Sequence, residues 1–185
     1  YEFVAPDVVA RTHGIDDYDE VRLSPWIHGF VYRVKHSGGW LLADAVTGRR
    51  LSPIDDEAAR QVAEADYTGP GSVREIRMVE ETSIEIRGMP LPVWRVEFDD
   101  ARSTTLYVSP EQGRVLARRN DMWRVFDFFW MLHIMDYSGR DDFNSPLLVI
   151  ASVIGWVLAD TGIWLEVLWL KRRRRRSRSG CRPCC

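Results

Sequence analysis

Apolar and polar residues alternate along several short stretches of the first 120 residues. "GFVYRVKHS" (29–37) and "PVWRVEFDD" (92–100) place every second side chain on one apolar face, the pattern of a half-buried β-strand. Helical patterns precede these stretches at "APDVVARTHGI" (5–15) and "DDEAARQVAEADY" (55–67). The sequence therefore predicts a helix followed by antiparallel strands, and it predicts this arrangement twice.

Two short motifs recur in the same order. "VYRV" (31–34) and "VWRV" (93–96) are each followed by a Gly-Arg pair, within "VTGRRL" ending at Leu51 and "EQGRVL" ending at Leu116. Each copy is marginal in size, about 50 and 65 residues, so we expect the two to pack together. Further strands are predicted at 19–26, 39–46 and 73–82, with a short fourth strand of the first copy at "TGRRL" (47–51) and a hairpin at 103–119.

The C-terminal third of the chain has a different pattern. "PLLVIASVIGWVLADTGIWLEVLWL" (146–170) contains only two charged residues, Asp160 and Glu166. A helix of this length spans about 37 Å, more than the hydrocarbon core of about 30 Å. Eight of the 25 basic residues follow Leu170, and no acidic residue does. We therefore predict a transmembrane helix, with the basic tail in the cytoplasm and residues 1–140 outside.

The charge distribution also limits the partners. Residues 1–170 carry 17 basic and 27 acidic residues, so this part of the chain would repel nucleic acid. No leader precedes Tyr1, and an exported domain needs one, so we expect an upstream segment beyond this sequence. The predicted boundaries are a first copy at 1–54, a second at 55–120, an interfacial aromatic helix and linker at 121–143, a transmembrane helix at 144–170, and a basic cytoplasmic tail at 171–185.

The sequence shows no signature of catalysis. It contains no H-E-x-x-H, no G-x-S-x-G and no phosphate-cradling glycine pattern, so we predict no catalytic residue and no metal site. His13, His28 and His36 are interpreted as structural or solvent-exposed. The only cysteines are in the basic tail, where they would be reduced. A metal knuckle lacking its fourth ligand, a lipidation site and an unstructured thiol tail are the alternatives for Cys181, Cys184 and Cys185.

In their order along the chain, these stretches resemble a known family. The helix at 55–67, the "PVWRVEF" strand and the "LYVSPEQGRVLAR" hairpin are similar to the PepSY domain. The Leu132-His133 pair, the Thr161-Gly162-Ile163 step and the basic run from Lys171 resemble the PepSY-associated transmembrane region. The resemblance implies two tandem PepSY-like units of α+β fold outside the membrane. PepSY domains are linked with the regulation of peptidases and with accessory roles beside redox and metal-uptake proteins, so a membrane or extracytoplasmic partner protein is expected.

The stretch "MWRVFDFFWMLHIMDY" (122–137) is too short to span a bilayer but is rich in aromatic residues. Such a segment is expected to lie at the extracytoplasmic interface of the membrane, so Trp123 and Trp130 are predicted to contact the bilayer or a partner. The resemblance extends to PepSY-type ferric-siderophore reductases, in which membrane histidines bind haem. From the residues themselves we predict no cofactor, and His133 is interpreted as hydrogen-bonded to a carboxylate such as Asp136. The alternative, which the resemblance implies, is haem b at His133 with the second ligand supplied from elsewhere.

Asp160 is the other unusual residue of the membrane region. A carboxylate facing lipid near the helix centre costs about 2.5–3.5 kcal/mol on insertion scales. We therefore expect Asp160 to face a partner helix, with the Thr-Gly step allowing close approach. The alternative is that it reaches the cytoplasmic surface and meets Lys171 and Arg172.

Overall fold

The computed structural model describes residues 2–140 and 142–179, and over this range the predicted α+β class is confirmed. Within the described residues seven strands form two antiparallel sheets. The strands are β1 (Glu20–Trp26), β2 (Gly29–His36), β3 (Gly39–Asp44), β4 (Val73–Val79), β5 (Val93–Phe98), β6 (Thr105–Ser109) and β7 (Arg114–Arg119). The helices are α1 (Pro6–Thr12), α2 (Asp56–Asp66), α3 (Asp121–Ile134) and α4 (Pro146–Ser179), and a single 3-10 turn lies at Ile84–Ile86. The three cysteines of the tail lie outside the described residues.

The first sheet has the order β1-β2-β3 and buries side chains on both faces. On one face, Tyr32 and Val34 of β2 pack with Val9 and Ala10 of α1. On the other face, Val31 belongs to a separate core cluster. Because side chains alternate along a strand, one apolar stretch supplies both clusters.

The second sheet has the order β4-β5-β6-β7 and packs one face on α2. The N-terminus of α2 is capped by Asp55, whose carboxylate accepts a hydrogen bond of 2.9 Å from the N–H of Ala58. Trp94 and Val96 of β5 lie on the α2 face, whereas Val93 lies in a third cluster with Ile86 and Tyr107. Trp94 and Val93 therefore face opposite sides of the sheet, as predicted.

The two sheets share a core. Val31 and Leu42 of the first sheet lie in one cluster with Val96 and Leu106 of the second, together with the apolar face of α2. The sheets are also joined by hydrogen bonds, since the indole N–H of Trp26 donates to the carbonyl of Gly113 at 2.8 Å. Helix α2 and the inner faces of both sheets thus bury a common apolar surface.

The prediction of a fourth strand at 47–51 is wrong. The first copy forms only an isolated bridge there, between Ala43 and Arg50. The carboxylate of Asp44 accepts hydrogen bonds from the N–H groups of Val46 and Thr47, which turns the chain out of the sheet. The predicted strand at 73–82 also ends earlier, at Val79.

The chain divides into two compact units, one through Val125 and one from Phe126 onward. The first unit contains both sheets. Helix α4 belongs to the second and is 34 residues long. Within the described part of the chain, Pro146–Arg173 is the one helix segment long and apolar enough to cross a membrane by length and composition.

Candidate functional site

A cleft of about 540 Å³ opens in the first unit between the β1–β2 turn, the loop after β3 and the start of α2. This volume lies in the range of small-molecule and peptide side-chain pockets. Its apolar lining residues include Trp26, Leu51 and Ile54. Its polar lining contains groups of both charges: His28, Asp44, Arg49, Arg50, Asp55, Glu57 and Gln61.

A strained residue forms one rim of the cleft. Ile27 has a φ of +23°, a backbone conformation that a β-branched residue rarely adopts. It lies in a two-residue turn, because Trp26 pairs with Gly29 across the β1–β2 hairpin. The side chain of Ile27 packs against the shared core, which offsets the strain. Strained residues held by packing concentrate at binding sites, so Ile27 marks the cleft as a candidate site.

Several polar groups of the cleft are already bonded within the chain. Hydrogen bonds from the N–H of Thr47 and its hydroxyl hold the pKa of Asp44 below its usual range. Asp55 caps α2, and the Nε of Arg50 donates to the carbonyl of Ser52 at 2.8 Å. His28 and Arg49 are exposed. The lining thus combines apolar side chains with fixed polar groups, which suits recognition of a ligand or a peptide segment.

The other two histidines of this unit form hydrogen bonds with backbone groups. The Nε2 of His13 lies 2.9 Å from the carbonyl of Gly48, in the turn that carries the first Gly-Arg pair. The Nδ1 of His36 accepts a hydrogen bond of 3.1 Å from the N–H of Gly38. Both have the structural role expected of them, whereas His28 lines the cleft.

A second polar cluster lies on the face of the second sheet away from α2. Its centre is Glu85, whose carboxylate accepts hydrogen bonds from the hydroxyl of Tyr107 at 2.7 Å and from the Nε of Arg124 at 2.8 Å. Burial raises the pKa of Glu85, but these two hydrogen bonds outweigh burial and hold it below its usual value. Arg124 also bonds to Asp121 at 2.9 Å. The cluster fixes the first turn of α3 to this sheet.

Trp123, predicted as an interaction residue, belongs to the same region. The guanidinium of Arg119 lies 4.1 Å from the centre of its ring, at cation–π distance. The Nε of Arg119 donates to the carbonyl of Glu85 at 2.9 Å. The indole of Trp123 is only half-buried, so its remaining surface is accessible to a partner or a bilayer.

Trp130 and His133 lie on the later part of α3, in the second unit. Trp130 is packed within an aromatic group, with ring centres 6.1 Å from Phe126, 5.6 Å from Phe143 and 6.3 Å from His133. His133 is exposed in the last turn of the helix, and its ring nitrogens have no hydrogen-bond partner among the described residues. Large apolar side chains are exposed around it, namely Phe126, Phe128, Phe129 and Leu132.

The loop after α3 contains charged contacts that the sequence did not reveal. Asp127 is buried and forms an ion pair with Arg140. The carboxylate of Asp136 accepts hydrogen bonds from the N–H groups of Asp142, Gly139 and Ser138, each at 3.1 Å. These N–H groups hold the pKa of Asp136 far below its ordinary value. Among the described residues His133 forms no hydrogen bond with Asp136.

Asp160 is exposed on α4, in the middle of its apolar segment. The unbroken helix places it about 16 Å along the axis from Lys171, too far for the ion pair considered above. At about 100° per residue, Ala159 and Gly162 lie within about 40° of Gly155, whereas Asp160 is about 140° away. If a second helix packed along these small residues, Asp160 would therefore face away from that helix and Glu166 would face towards it.

Comparison with family models, with curated proteins and with solved structures found no match to this chain. The resemblance to PepSY proteins consequently depends on the sequence motifs quoted above. The cleft, the Glu85 cluster and the exposed apolar helix are features of the chain itself, and they are the basis for the function proposed below.

Proposed function

We propose that this chain is a membrane-anchored, extracytoplasmic module that binds or regulates a partner protein. The observation that carries the proposal is the combination, in one chain, of a folded α+β unit bearing a cleft and a long apolar helix with no buried segment. The apolar helix holds the module at the membrane, and the cleft is its recognition site. The partner protein is a peptidase, or a component of a redox or metal-uptake system in the membrane.

The internal repeat supports the PepSY-like part of the proposal. Val31 lies in the second strand of the first sheet and Val93 in the second strand of the other. In each copy a helix precedes the strands and packs against the motif that follows it. The two copies are related by duplication, and the first lost its fourth strand at the Asp44 turn.

The bilayer contact comes from both helices of the second unit. Phe126 and Phe129 of α3 are 61% and 62% exposed, an unfavourable arrangement in water but a favourable one at a membrane interface. On α4 the apolar side chains are exposed on all sides. The basic tail lies in the cytoplasm and residues 1–140 lie outside.

The orientation is tested by cysteine labelling in intact cells. A membrane-impermeant reagent should label a Ser72→Cys variant at the new thiol, because Ser72 is exposed in the first unit. Under the same conditions Cys184 should react only after the membrane is permeabilised. Labelling of Cys184 in intact cells, with no label at the thiol introduced by Ser72→Cys, would contradict the proposed orientation.

The cleft is tested by site-specific photo-crosslinking. A photoreactive amino acid at His28, on the cleft rim, should capture one defined partner protein. The same group at Arg22, exposed on β1 of the same hairpin, is the matched control and should not. A Glu57→Lys change on the rim should weaken the capture at least about tenfold, since it reverses a charge at the site. Identical products from positions 28 and 22 would contradict the assignment.

Asp160 is tested against Glu166. If Asp160 faces a partner helix, Asp160→Leu should lower the recovery of a membrane partner, because polar contacts between helices specify partners. If helices meet along Gly155 and Gly162 instead, Glu166→Leu should have the larger effect. If both variants recover as much partner as the unmodified chain, at equal abundance in the membrane, a helix–helix role for either carboxylate is contradicted.

A second candidate function is haem-dependent electron transfer through His133. The supporting observation is that its ring nitrogens are unbonded among the described residues, in an exposed aromatic setting. Residues 146–179 contain no His, Met or Cys, so α4 offers no second axial ligand, and another segment or a partner subunit would have to supply it. Haem would supply one-electron chemistry. Purified full-length protein that is supplied with haem and then separated from unbound haem by gel filtration should keep a Soret band that His133→Ala loses and His28→Ala retains, and the absence of this band would eliminate the candidate.

A further inference from the structure

We infer that the segment directly after the apolar helix is a binding site for anionic phospholipid headgroups. This inference rests on the membrane anchoring proposed above. The site is the collar, defined here as Lys171 to Arg176, six consecutive cations at the end of the apolar segment. The ligand is the phosphate-bearing headgroup of a lipid with net negative charge, such as phosphatidylglycerol.

The shape of the collar supports this ligand. Helix α4 continues without a break from Pro146 to Ser179, so the cations follow the apolar segment on the same helix. At about 100° per residue, six successive helical positions occupy the whole circumference within a rise of roughly 8 Å. A leaflet of headgroups surrounds a spanning helix on every side, so it can meet a cation at each of these helical positions.

The position of the collar provides a second argument. Lys171, Arg172 and Arg173 are exposed, and the guanidinium of Arg173 lies 5.3 Å from the ring centre of Trp169. Tryptophan is enriched at the headgroup level of membranes, so Trp169 sets the depth of the collar at the lipid phosphates. Each cation near an anionic surface favours association by about fivefold at physiological salt. Elsewhere in the sequence no more than two cations are consecutive, so the collar is a distinct feature of the chain.

The test uses the full chain in nanodiscs of phosphatidylcholine with phosphatidylglycerol. In one preparation only the phosphatidylglycerol carries brominated acyl chains, and in the other the same fraction of bromine is on phosphatidylcholine. Quenching of Trp169 is obtained as the difference between the unmodified chain and Trp169→Phe. It should be at least about twofold stronger with brominated phosphatidylglycerol, and the preference should fall in 1 M salt, where screening shortens to about 3 Å.

Trp156 is the internal control, because it is exposed on the same helix about 20 Å from Trp169. Its quenching, measured with Trp156→Phe, should be equal in the two preparations. If Trp156 is quenched but Trp169 shows no lipid preference, the collar proposal is overturned and the membrane anchoring stands. If neither is quenched in either preparation, both proposals fail.

Variants of the collar separate charge from shape. Changing Lys171, Arg172 and Arg173 together to Gln should reduce the phosphatidylglycerol preference, whereas Arg172→Lys with Arg173→Lys should retain it. Arg11→Gln with Arg60→Gln, on the helices of the first unit, is the control for loss of positive charge elsewhere. A labelled nucleic-acid duplex that binds the chain equally well with and without phosphatidylglycerol would instead identify the collar as a nucleic-acid site.

Discussion

The two related motifs, "VYRV" and "VWRV", have the same local structure but different neighbours. The second and fourth residues behave alike in both copies. Tyr32 and Val34 pack against α1, and Trp94 and Val96 pack against α2. This half of the motif is set by strand alternation and by the helix that precedes it in the chain. A local pattern is therefore sufficient to specify it.

The first and third residues of the motifs differ in role. Arg33 points into the junction of the two sheets, where its Nε donates to the carbonyl of Gln112 at 2.7 Å and its Nη2 to that of Gly113 at 3.2 Å. Arg95 lies on the outer face of the second sheet and pairs with its neighbour Glu97. The motif thus supplies hydrogen bonds between the two sheets in the first copy and a half-buried ion pair within one sheet in the second.

The largest effect is expected at the Gly-Arg turns. Gly113 has a φ of +56°, and a Cβ there would lie 2.6 Å from Leu42 Cδ2 and 3.0 Å from Trp26 Nε1. Gly113→Ala should therefore lower the free energy of unfolding by about 2–5 kcal/mol, through backbone strain and overpacking. Urea unfolding of the detergent-solubilised chain, followed by tryptophan fluorescence, measures this change.

Gly48 is the matched control, since it has a φ of +71° but its Cβ would meet only Val9 Cγ2, at 3.7 Å. Gly48→Ala should cost only the backbone strain, about 1–2 kcal/mol. Equal losses for the two alanine variants would show that the Gly113 turn does not hold the sheets together.

The next effect concerns the third residue of each motif. Arg33→Met keeps the apolar stem but removes the hydrogen bonds to two carbonyls, so it should destabilise the chain by about 1.5–3 kcal/mol. Arg95→Met removes an ion pair whose side chains are 19% and 23% exposed, and should cost about 0.5–1 kcal/mol. The same unfolding measurement compares them. A larger loss from Arg95→Met would reverse the roles assigned to the two arginines.

These contacts show which parts of the structure the sequence could predict. The positions of α2, β2, β5 and the β6–β7 hairpin follow from periodicity and from caps such as Asp55, which act over a few residues. The fourth strand of the first copy was predicted wrongly because the pattern of apolar residues does not reveal that the Asp44 side chain competes with the sheet for backbone N–H groups.

The candidate site was less predictable than the fold. The cleft is built from three separate segments, and Ile27 adopts an unfavourable turn that its residue type argues against. Arg140, which pairs with Asp127, has a φ of +61° that no glycine signals. The only local sign of that loop was "DYSG", in which an Asp precedes the N–H groups that it binds. Residues that are far apart in the sequence, such as Glu85 and Arg124, produce no periodic pattern from which their contact could be predicted.

The pH dependence of stability tests the difference between the two copies, because the Glu85 cluster lies only on the outer face of the second sheet. The folded-state pKa of Glu85 is below its ordinary value of about 4.3. The ionised carboxylate therefore stabilises the folded chain fully above about pH 4.3, and this stabilisation is lost as the pH falls through the folded-state pKa. Glu85→Gln should lower stability at pH 7 by about 1 kcal/mol and flatten the decline below about pH 4.

Glu81→Gln is the control for this experiment, since Glu81 is exposed on the same segment before β5. It should leave both the stability at pH 7 and the acid decline unchanged. Thermal unfolding between pH 3 and pH 7 provides the comparison. An acid decline that is as steep in Glu85→Gln as in the unmodified chain would mean that other carboxylates dominate it.

The smallest effect separates two tryptophans that make the same kind of bond. The indole of Trp94 donates to the carbonyl of Ile54 at 2.9 Å, and that of Trp26 donates to Gly113 at 2.8 Å. Trp94→Phe should cost about 1 kcal/mol in hydrogen bonding, because the Ile54 carbonyl loses this donor. Trp26→Phe should cost a few tenths less, since Gly113 still accepts from Arg33.

The double variant Trp26→Phe with Arg33→Met tests this sharing directly. If the two donors substitute for each other at the Gly113 carbonyl, the double variant should lose about 0.5–1 kcal/mol more than the sum of the single losses, because the carbonyl is then left without either donor. Trp94→Phe with Arg33→Met, whose acceptors are different, should be additive within about 0.5 kcal/mol. Additivity in both pairs would mean that the Arg33 hydrogen bonds of the first motif and the Trp26 bond act independently, and that the sheets are held together mainly by their shared apolar core.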